Sequence, residues 1–293
     1  ANVTVDCGAK KSNSITAALG ALNKHGPNTI LITGTCNEAL SIDGYDHLTL
    51  LGNPTATISD PTPSQSPEDE DTTVVLIFDS DRVVLQGITI NGGATGIACQ
   101  GFSVCWLQDV HVHGTFGIAV QFIRSSGFLF DDTVIEDNVG FGLSALSGSN
   151  VSLGPRNSNV APTIQRNETG AFVGDNSHVQ FTGSSVQDNS GVGIQVVRGS
   201  NVRVLGPVTG NGAEGVILVG STARIAGATI TGNTGNGVVV ANLSYANFSG
   251  GNTINGNDTL DVNCSSTTAV TQGTGNANNL GGGGTTNCTE PAP

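Results

Sequence analysis

Apolar and polar residues alternate in short stretches along this chain, and the stretches recur about every 22 residues. Asparagine marks the recurrence: four stand 22 residues apart, one more lies 29 residues upstream and another 24 residues downstream (Asn167, Asn189, Asn211 and Asn233; Asn138; Asn257). Three residues before each stands an isoleucine or valine, at Ile135, Ile164, Val186, Val208, Ile230 and Ile254. A fixed period of this length is typical of a repeat architecture.

Each repeat predicts about three short strands and leaves no room for a helix. An alternating stretch follows the asparagine, as in Gly193-Ile194-Gln195-Val196, and another precedes it, as in residues 202–204. Alternation with period two is typical of strands with one face inward and one outward. One circuit per repeat predicts a coiled parallel β-structure whose coils stack about 4.8 Å apart. The asparagine amides would then bond from coil to coil.

Other repeat folds fit the chain less well. A propeller needs repeats of about 40 residues or more, and a leucine-rich repeat needs a helical turn in each unit. The calcium-binding nonapeptide roll needs an aspartate that the glycine run at 281–284 lacks. A β-sandwich would need hairpin turns and would show no fixed coil length.

The repeat x-V-x-L-x-G-x-x-I-x-x-N-x-G-x-G-I-x-V, seen in residues 177–198 and 221–242, resembles that of the pectin-lyase-like superfamily. The resemblance covers roughly residues 30–263. It implies an all-β fold, a single-stranded right-handed parallel β-helix, and the handedness rests on the resemblance alone. It also implies a first strand and a capping helix ahead of a T-I-x-I-x-G-x-C segment, here residues 29–36.

We expect a single domain over residues 1–293, because one array of repeats spans the chain. Its parts are a cap at 1–28, coils at 29–263 with an acidic loop at 60–73, and a disulfide-closed tail at 264–293. Residues 14–24 predict a short amphipathic helix that Ser14 caps and Gly26-Pro27 ends. Such a helix would cover the open end of the first coil.

The six cysteines form three pairs that are close in sequence, 7 with 36, 99 with 105 and 264 with 288, although other pairings are open. Their even number and the lack of metal-ligand spacing indicate disulfides and an oxidising compartment. The chain starts at Ala1 without a signal peptide, as expected of a mature secreted, extracellular protein.

The formal net charge is −13, with only ten lysines and arginines, and this argues against nucleic acid and anionic membranes as partners. It also disfavours strong binding to polyanions unless the few arginines are clustered. We expect a polysaccharide or surface glycan as partner, no membrane insertion, and a monomer, with the apolar strand face as the alternative contact between copies. We expect no cofactor and interpret the acidic loop as a solvated excursion of the chain; the alternative is a calcium site at Glu68, Asp69, Glu70 or Asp71.

In the families that the chain resembles, substrate usually binds the outer face of the strand after the asparagine turn. That face is mostly small or apolar here, and an apolar stripe of Phe172, Val197, Ile217, Val219 and Val239 is predicted. Exposed stripes of this kind bind partners or ligands, and the alternative is that a loop or the C-terminal tail covers the stripe. The predicted substrate-binding residues are Gln121, Arg124, Phe172, Gln195 and Trp106.

Polar residues collect on the strand before the asparagine turn. His113 and Glu136 would be neighbours one coil apart, with His111 on the same face and Asp137 beside Arg166. A carboxylate next to a histidine raises the histidine pKa, and a general base needs such tuning. These five residues are the predicted catalytic residues. The alternative is a stabilising surface ladder, because charges of opposite sign commonly face each other on neighbouring strands.

The motifs of two activities found on this fold are missing. The outer face lacks the calcium ligands and basic residues of a pectate lyase, and of the polygalacturonase segments only Asp131-Asp132 is present, off that face. Three hypotheses follow: a secreted carbohydrate-active protein acting on a polysaccharide as lyase, hydrolase or epimerase; a non-catalytic cell-surface or adhesive binding module; and a small-molecule cyclase or isomerase using the apolar face. The first is preferred.

Overall fold

A computed structural model describes residues 1–8, 14–63, 71–265, 270–272 and 284–288 and shows a parallel β-solenoid. Every strand pairs in parallel with the equivalent strand one coil away, as in Val202 with Val179 and Val202 with Ala223. The predicted coils are therefore confirmed.

Three walls of strands form each coil. The first wall consists of Asn2–Asp6, Asn28–Asn37, Asp46–Ser59, Asp81–Asn91, Val104–Gln108, Ser126–Phe130, Asn150–Gly154, His178–Thr182, Asn201–Leu205, Thr222–Ala226, Tyr245–Ser249 and Val270–Gln272. The second wall takes the carboxyl ends of the long strands Asn28–Asn37, Asp46–Ser59 and Asp81–Asn91. It continues through His111–His113, Val134–Glu136, Thr163–Gln165, Ser185–Gln187, Pro207–Thr209, Thr229–Thr231 and Thr253–Asn255.

The third wall follows the asparagine turn and is a separate sheet of ten strands. It consists of Leu40–Asp43, Thr73–Phe78, Thr95–Gln100, Ile118–Ile123, Phe141–Leu146, Thr169–Val173, Ile194–Val197, Val216–Val219, Val238–Ala241 and Val262–Cys264. The inward side chains of all three walls fill one continuous core. The predicted inward column before the asparagines is fully buried there, and each such side chain contributes about 1.5–3 kcal/mol by leaving water.

The asparagines form the predicted ladder at the turn between the second and third walls. Each side-chain amide donates to Oδ1 of the next asparagine, at 2.8–3.1 Å, from Asn138 through to Asn257. The same oxygen accepts the backbone N–H of the preceding asparagine, as from Asn167 to Asn189 at 3.0 Å. Thr115 starts the ladder by donating to Asn138 from both its N–H and its hydroxyl.

The glycine three or four residues after a ladder asparagine is required by close packing, as Gly193 shows. A Cβ added to Gly193 would lie 2.6 Å from the carbonyl oxygen of Gly215 and 2.8 Å from Nδ2 of Asn211. The equivalent residue is Ala119 in the coil where Thr115 replaces asparagine. In sequence, Gly117-Ile118-Ala119-Val120 matches Gly193-Ile194-Gln195-Val196, which predicts that Ala119 points outward. The register instead pairs Val120 with Ile97, so the strand is shifted by two residues. Ala119 is fully buried.

A second ladder, which the sequence analysis missed, is made of serines at the turn between the third and first walls. Ser80, Ser103, Ser125, Ser149, Ser177, Ser200, Ser221 and Ser244 are all buried. Backbone N–H groups donate to the next hydroxyl, as from Ser149 to Ser177 at 3.1 Å and from Ser177 to Ser200 at 3.3 Å.

The first coil is capped by the helix Ile15–Ala21, which Ser14 caps by accepting from the N–H of Ala17. The helix ends three residues before the predicted boundary because Leu22 is already extended. Glu38 accepts hydrogen bonds from the N–H groups of Ile15 and Thr16.

The three predicted disulfides, 7 with 36, 99 with 105 and 264 with 288, are confirmed. Part of the tail continues the solenoid, since Val270–Gln272 pairs with Tyr245–Ser249 and Thr286 bridges to Val262. The calcium hypothesis falls largely outside the described residues, which stop at 63 and resume at Asp71.

Candidate active site

Two histidines and a glutamate come together on the outer face of the second wall. His111 and His113 flank the inward Val112 on one strand, and Glu136 ends the next strand of the wall. The register pairs His111 with Val134, which sets Glu136 opposite His113. Oε1 of Glu136 lies 3.0 Å from Nε2 of His111, and the two imidazole centroids are 4.7 Å apart.

The guanidinium of Arg166 binds both acidic residues of this cluster. Its Nη2 lies 2.6 Å from Oε2 of Glu136, and its Nε lies 2.8 Å from Oδ1 of Asp137. Gln165 donates from Nε2 to the same Oε2 at 2.6 Å, and Gln187 donates to Gln165 at 3.0 Å. A row of polar side chains therefore runs along the second wall, with Glu136 bound from three sides.

The turn before the ladder asparagine aims Asp137 and Arg166. Both have left-handed backbone, with φ of 56° and 53°, and each directly precedes an asparagine of the ladder. Most other coils place glycine there, as at Gly210 with φ of 66°. Residues other than glycine are uncommon in this backbone region. Asp137 and Arg166 are kept in it by the ladder asparagines that follow them, and their side chains therefore lie at the edge of the second wall.

Both carboxylates are ionised at neutral pH. Burial opposes the ionisation of Glu136, but the hydrogen bond from Gln165 and the charges of Arg166 and His111 hold its pKa below the ordinary value. The hydrogen bond from Arg166 lowers the pKa of Asp137 in the same way. These contacts raise the pKa of Arg166 itself.

His113 behaves differently from the sequence-based expectation. Burial first, and then the neighbouring His111, lowers its pKa, and the opposing charges of Glu136 and Asp137 are too weak to reverse the shift. We expected the carboxylate to raise this pKa, and that expectation is wrong for His113. The lowered pKa favours the uncharged imidazole at neutral pH. No described residue hydrogen-bonds to the half-buried ring, so the lone pair of the uncharged form is available.

The five predicted substrate-binding residues lie on three different surfaces, away from this cluster. Gln121, Phe172 and Gln195 share one outward column of the third wall. Arg124 lies at the corner between the third and first walls, and Trp106 lies on the first wall. The predicted catalytic residues do come together, whereas the substrate-binding set does not form one site.

The apolar stripe of the third wall is interrupted. The register places Gln195 between Phe172 and Ile217, and Val197 is only 8% exposed. Phe172 packs against Phe141 with ring centroids 5.4 Å apart. A continuous apolar face is therefore absent from this part of the third wall.

Arg124 lines an open cavity of about 320 Å³ at its corner. The other lining residues are Phe102, Ser125, Ser126, Ser147 and Gly148. This cavity is separated from the second-wall cluster by the full width of the third wall.

Trp106 forms the centre of an aromatic cluster on the first wall. Phe128 and Phe130 meet it edge-on, with centroids 5.7 and 5.9 Å away. The guanidinium carbons of Arg156 and Arg82 lie 4.5 and 5.6 Å from its ring centroid. Arg156 belongs to the loop after Asn150–Gly154, so Trp106 packs under this loop.

Asp131 has a structural role. It is buried, and its Oδ1 accepts the N–H groups of Arg156, Asn157 and Ser158 at 2.8–3.1 Å. Burial opposes its ionisation, but these backbone hydrogen bonds lower its pKa. Asp131 therefore anchors the loop that carries Arg156.

One group among the described residues has donor atoms spaced for a metal ion: Cys7, Cys36 and Glu38. The two cysteines form a disulfide and Glu38 binds the helix N-terminus, so these groups do not fit a metal site.

Comparison with known proteins identifies the fold. A family profile described as the right handed beta helix region matches residues 68–207. Among solved structures, pectate lyase Pel9A is similar with a TM-score of 0.60 at 13% identity, over 88% of this chain and 78% of that one. The chain therefore has the fold of a right-handed parallel β-helix.

Two further solved structures share this β-helix fold. The A-module of the Azotobacter vinelandii mannuronan C-5 epimerase AlgE4 is similar with a TM-score of 0.56 at 12% identity, over 85% of this chain and 84% of that one. The periplasmic alginate epimerase AlgG has a TM-score of 0.51 at 11% identity, over 89% and 70%. At these identities the likeness is one of fold. No curated protein sequence matches the chain.

In the described part of the β-helix, no helix has the length and apolar character needed to cross a membrane.

The sequence analysis missed Gln165 and Arg156, which contact predicted site residues. Their contacts depend on strand register and on a loop conformation, which the repeat pattern does not reveal.

Proposed function

We propose that the protein acts on a polysaccharide by proton abstraction, with His113 as the general base. The observation that carries the proposal is the state of that imidazole: uncharged, half-buried, and without a hydrogen bond to any described residue. A general base works best when its pKa lies near or below the working pH and its lone pair is free. The likeness in fold to an epimerase and a lyase that act on polysaccharides supports the substrate class.

The chemistry that suits such a base is removal of the proton on the sugar carbon next to a uronate carboxylate. The proton moves to a ring nitrogen of His113, and the electron pair of the broken C–H bond moves toward the carboxylate. In a lyase the bond to the neighbouring glycosidic oxygen then breaks and a C=C bond forms. In an epimerase a proton returns to the opposite face of the same carbon.

The remaining residues of the cluster would position His113 and its neighbour. Glu136 holds the ring of His111 through the 3.0 Å contact, and Arg166 holds Glu136 and Asp137. His111, whose ring centroid is 4.7 Å from that of His113, is the nearest group able to supply a proton to the leaving oxygen.

Hydrolysis is the least supported of the three reaction types. A glycosidase of the usual kind needs one protonated carboxylic acid and one carboxylate about 5–9 Å apart. Both acidic residues of this cluster are held ionised, because Arg166 contacts each of them. Neither is suited to donate a proton near neutral pH.

The experiment is a polysaccharide panel with three readouts: absorbance of unsaturated products, solvent deuterium incorporation at the carbon next to the carboxylate, and release of reducing ends. We expect the first or second signal, its loss in His113→Gln, and its retention in His25→Gln. His25 is the matched control, because it is an exposed histidine near the N-terminus. Reducing-end release with no unsaturated product, or activity retained in His113→Gln, would overturn the proposal.

A second candidate function is a non-catalytic glycan-binding module. It is favoured by the saturation of Glu136, Asp137 and Arg166 with one another, as in a stabilising surface ladder. Polysaccharide binding without turnover on the whole panel would decide for it. For both functions we propose a secreted monomer, and the three disulfides support an oxidising compartment.

A further inference from the structure

The outer face of the first wall carries no carboxylate over most of its length. Along the seven strands from Val104–Gln108 to Tyr245–Ser249, the outward residues include two arginines and no aspartate or glutamate. The chain has 23 acidic residues and only ten basic ones. The acidic residues of this strongly acidic protein therefore lie outside these seven strands, whose outward charged residues include arginines but no carboxylates.

The unpaired cations gather on this face. Of the eight lysines and arginines in the described residues, Lys24, Arg166 and Arg198 form ion pairs. The other five form none with a described residue: Arg82, Arg124, Arg156, Arg203 and Arg224. All but Arg124 lie on the first wall or on the loop over it. The sequence disfavours a polyanion partner unless the arginines are clustered, and four of them lie on this side of the solenoid in two pairs.

Arg203 and Arg224 lie opposite each other on adjacent strands, about 4.8 Å apart at the backbone. Their outer neighbours in the same column are the uncharged Gln180 and Asn247. Like charges in direct cross-strand positions destabilise a sheet, so an anion bound between the two guanidinium groups would offset their repulsion. Among the described residues, the buried Nε of Arg203 has no hydrogen-bond partner.

We propose that Arg203 and Arg224 bind a sulfate ester carried by a polysaccharide that lies along the first wall. A carboxylate has two acceptor oxygens, which a single arginine fork already satisfies. A sulfate ester presents three oxygens in a tetrahedral arrangement, so two guanidinium groups from adjacent strands can donate to it at once. The pair therefore matches sulfate better than carboxylate.

The other end of the same face carries the second pair of cations. Arg82 and Arg156 are held over Trp106, which lies four strands from Arg203 in one column. Four strand spacings are about 19 Å. A polymer lying along the axis of the solenoid would reach both pairs, which a small anion would not.

This inference rests on the proposed function for the polysaccharide nature of the partner, but not on any role of His113. Its test measures binding of the full chain to a sulfated polyuronate, to the same polymer after desulfation, and to a neutral polysaccharide. We expect the sulfated polymer to bind about tenfold more tightly than the desulfated one. The double variant R203Q/R224Q should remove that difference, and R203K/R224K should keep part of it.

R198Q is the matched control, because Arg198 is exposed and paired with Asp175. It should change affinity less than about twofold, and unfolding curves of all variants should overlay that of the wild type. Equal affinity for sulfated and desulfated polymer would overturn the proposal, as would an equal loss in R198Q. Tight binding of a DNA oligonucleotide through the same two arginines would overturn the polysaccharide assignment.

The failures of the two proposals are distinguishable. If the sulfate site is wrong, the wild type and R203Q/R224Q show the same ratio of affinities for the sulfated and the desulfated polyuronate, while turnover and its loss in His113→Gln are unchanged. If the role of His113 is wrong, the wild type shows no turnover or His113→Gln retains it, while the preference of the wild type for binding the sulfated polymer stays.

Discussion

The side-chain amide of Asn189 donates to Oδ1 of Asn211 at 2.9 Å, and the backbone N–H of Asn189 donates to the same oxygen at 3.2 Å. One buried oxygen thus satisfies two donors from the neighbouring coil. Asn211 in turn donates to Val186 and Asn233. The ladder links coils that are 22 residues apart in sequence. It therefore fixes the strand register on which the histidine cluster of the second wall and the arginine pair of the first wall both depend.

Asn211→Ala should therefore destabilise the protein strongly. It leaves both buried donors of Asn189 without an acceptor and removes the amide hydrogen bonds to Val186 and Asn233. Each buried unsatisfied group costs about 1–3 kcal/mol. We expect a loss of about 3–5 kcal/mol in the free energy of unfolding, measured by urea denaturation. The control is Asn150→Ala, whose exposed side chain should cost less than about 0.5 kcal/mol. Equal losses at the two positions would mean that the ladder is not a stabilising element.

Ser177→Ala tests the serine ladder. The substitution removes the hydroxyl that accepts the N–H of Ser149 at 3.1 Å and leaves that buried donor unpaired. The expected loss is about 1–2 kcal/mol, smaller than for Asn211 because fewer groups lose a partner. Ser152→Ala, at an outward position of the first wall, is the control. A neutral Ser177→Ala variant would contradict the ladder's contribution.

The fold was predictable because the repeat leaves its mark in residue type at fixed spacing. The asparagine column and the inward valines and isoleucines follow from that spacing, whereas the three cysteine pairs follow from the closeness of their members in sequence. The serine column carries a weaker signal, since its members recur every 21 to 28 residues among many other serines. The same irregularity misled the alignment of Ala119, where the ladder asparagine is replaced by Thr115.

The sequence predicts which residues of the candidate site lie close together, but not the direction in which the pKa of His113 shifts. Strand spacing alone sets His113 near Glu136, and alternation sets His111 on the same face. The direction of the His113 shift depends on how deeply the ring is buried and on its 4.7 Å contact with another imidazole. Those quantities come from packing, which the repeat pattern does not specify.

Glu136→Gln should change how stability depends on pH. The folded pKa of Glu136 is depressed, so its contribution is present above the unfolded pKa and is lost as pH falls through the folded pKa. The wild type should therefore lose stability more steeply than the variant below about pH 5. Melting temperature against pH measures this. Glu168→Gln, an exposed control one coil turn away, should keep the wild-type slope, and a parallel slope for both variants would refute the prediction.

His111→Gln should raise the pKa of His113 toward its ordinary value. The charge of His111 is one of the causes that lower it, after burial, while the opposing charges of Glu136 and Asp137 stay in place. Proton NMR titration of the His113 ring reports the change directly, with His178 as an internal reference on another wall. If the titration midpoint of His113 in His111→Gln is unchanged or lower, the charge of His111 does not lower the pKa of His113.

The pH dependence of kcat/KM on a polyuronate substrate tests the central claim most directly. If unprotonated His113 is the general base, the rate rises with pH along an acidic limb whose midpoint equals the NMR midpoint of His113 and lies below the ordinary histidine value. In His111→Gln that limb should move upward by the same amount as the NMR midpoint. An acidic limb that does not follow the His113 titration, or that is unchanged in His111→Gln, would contradict the account.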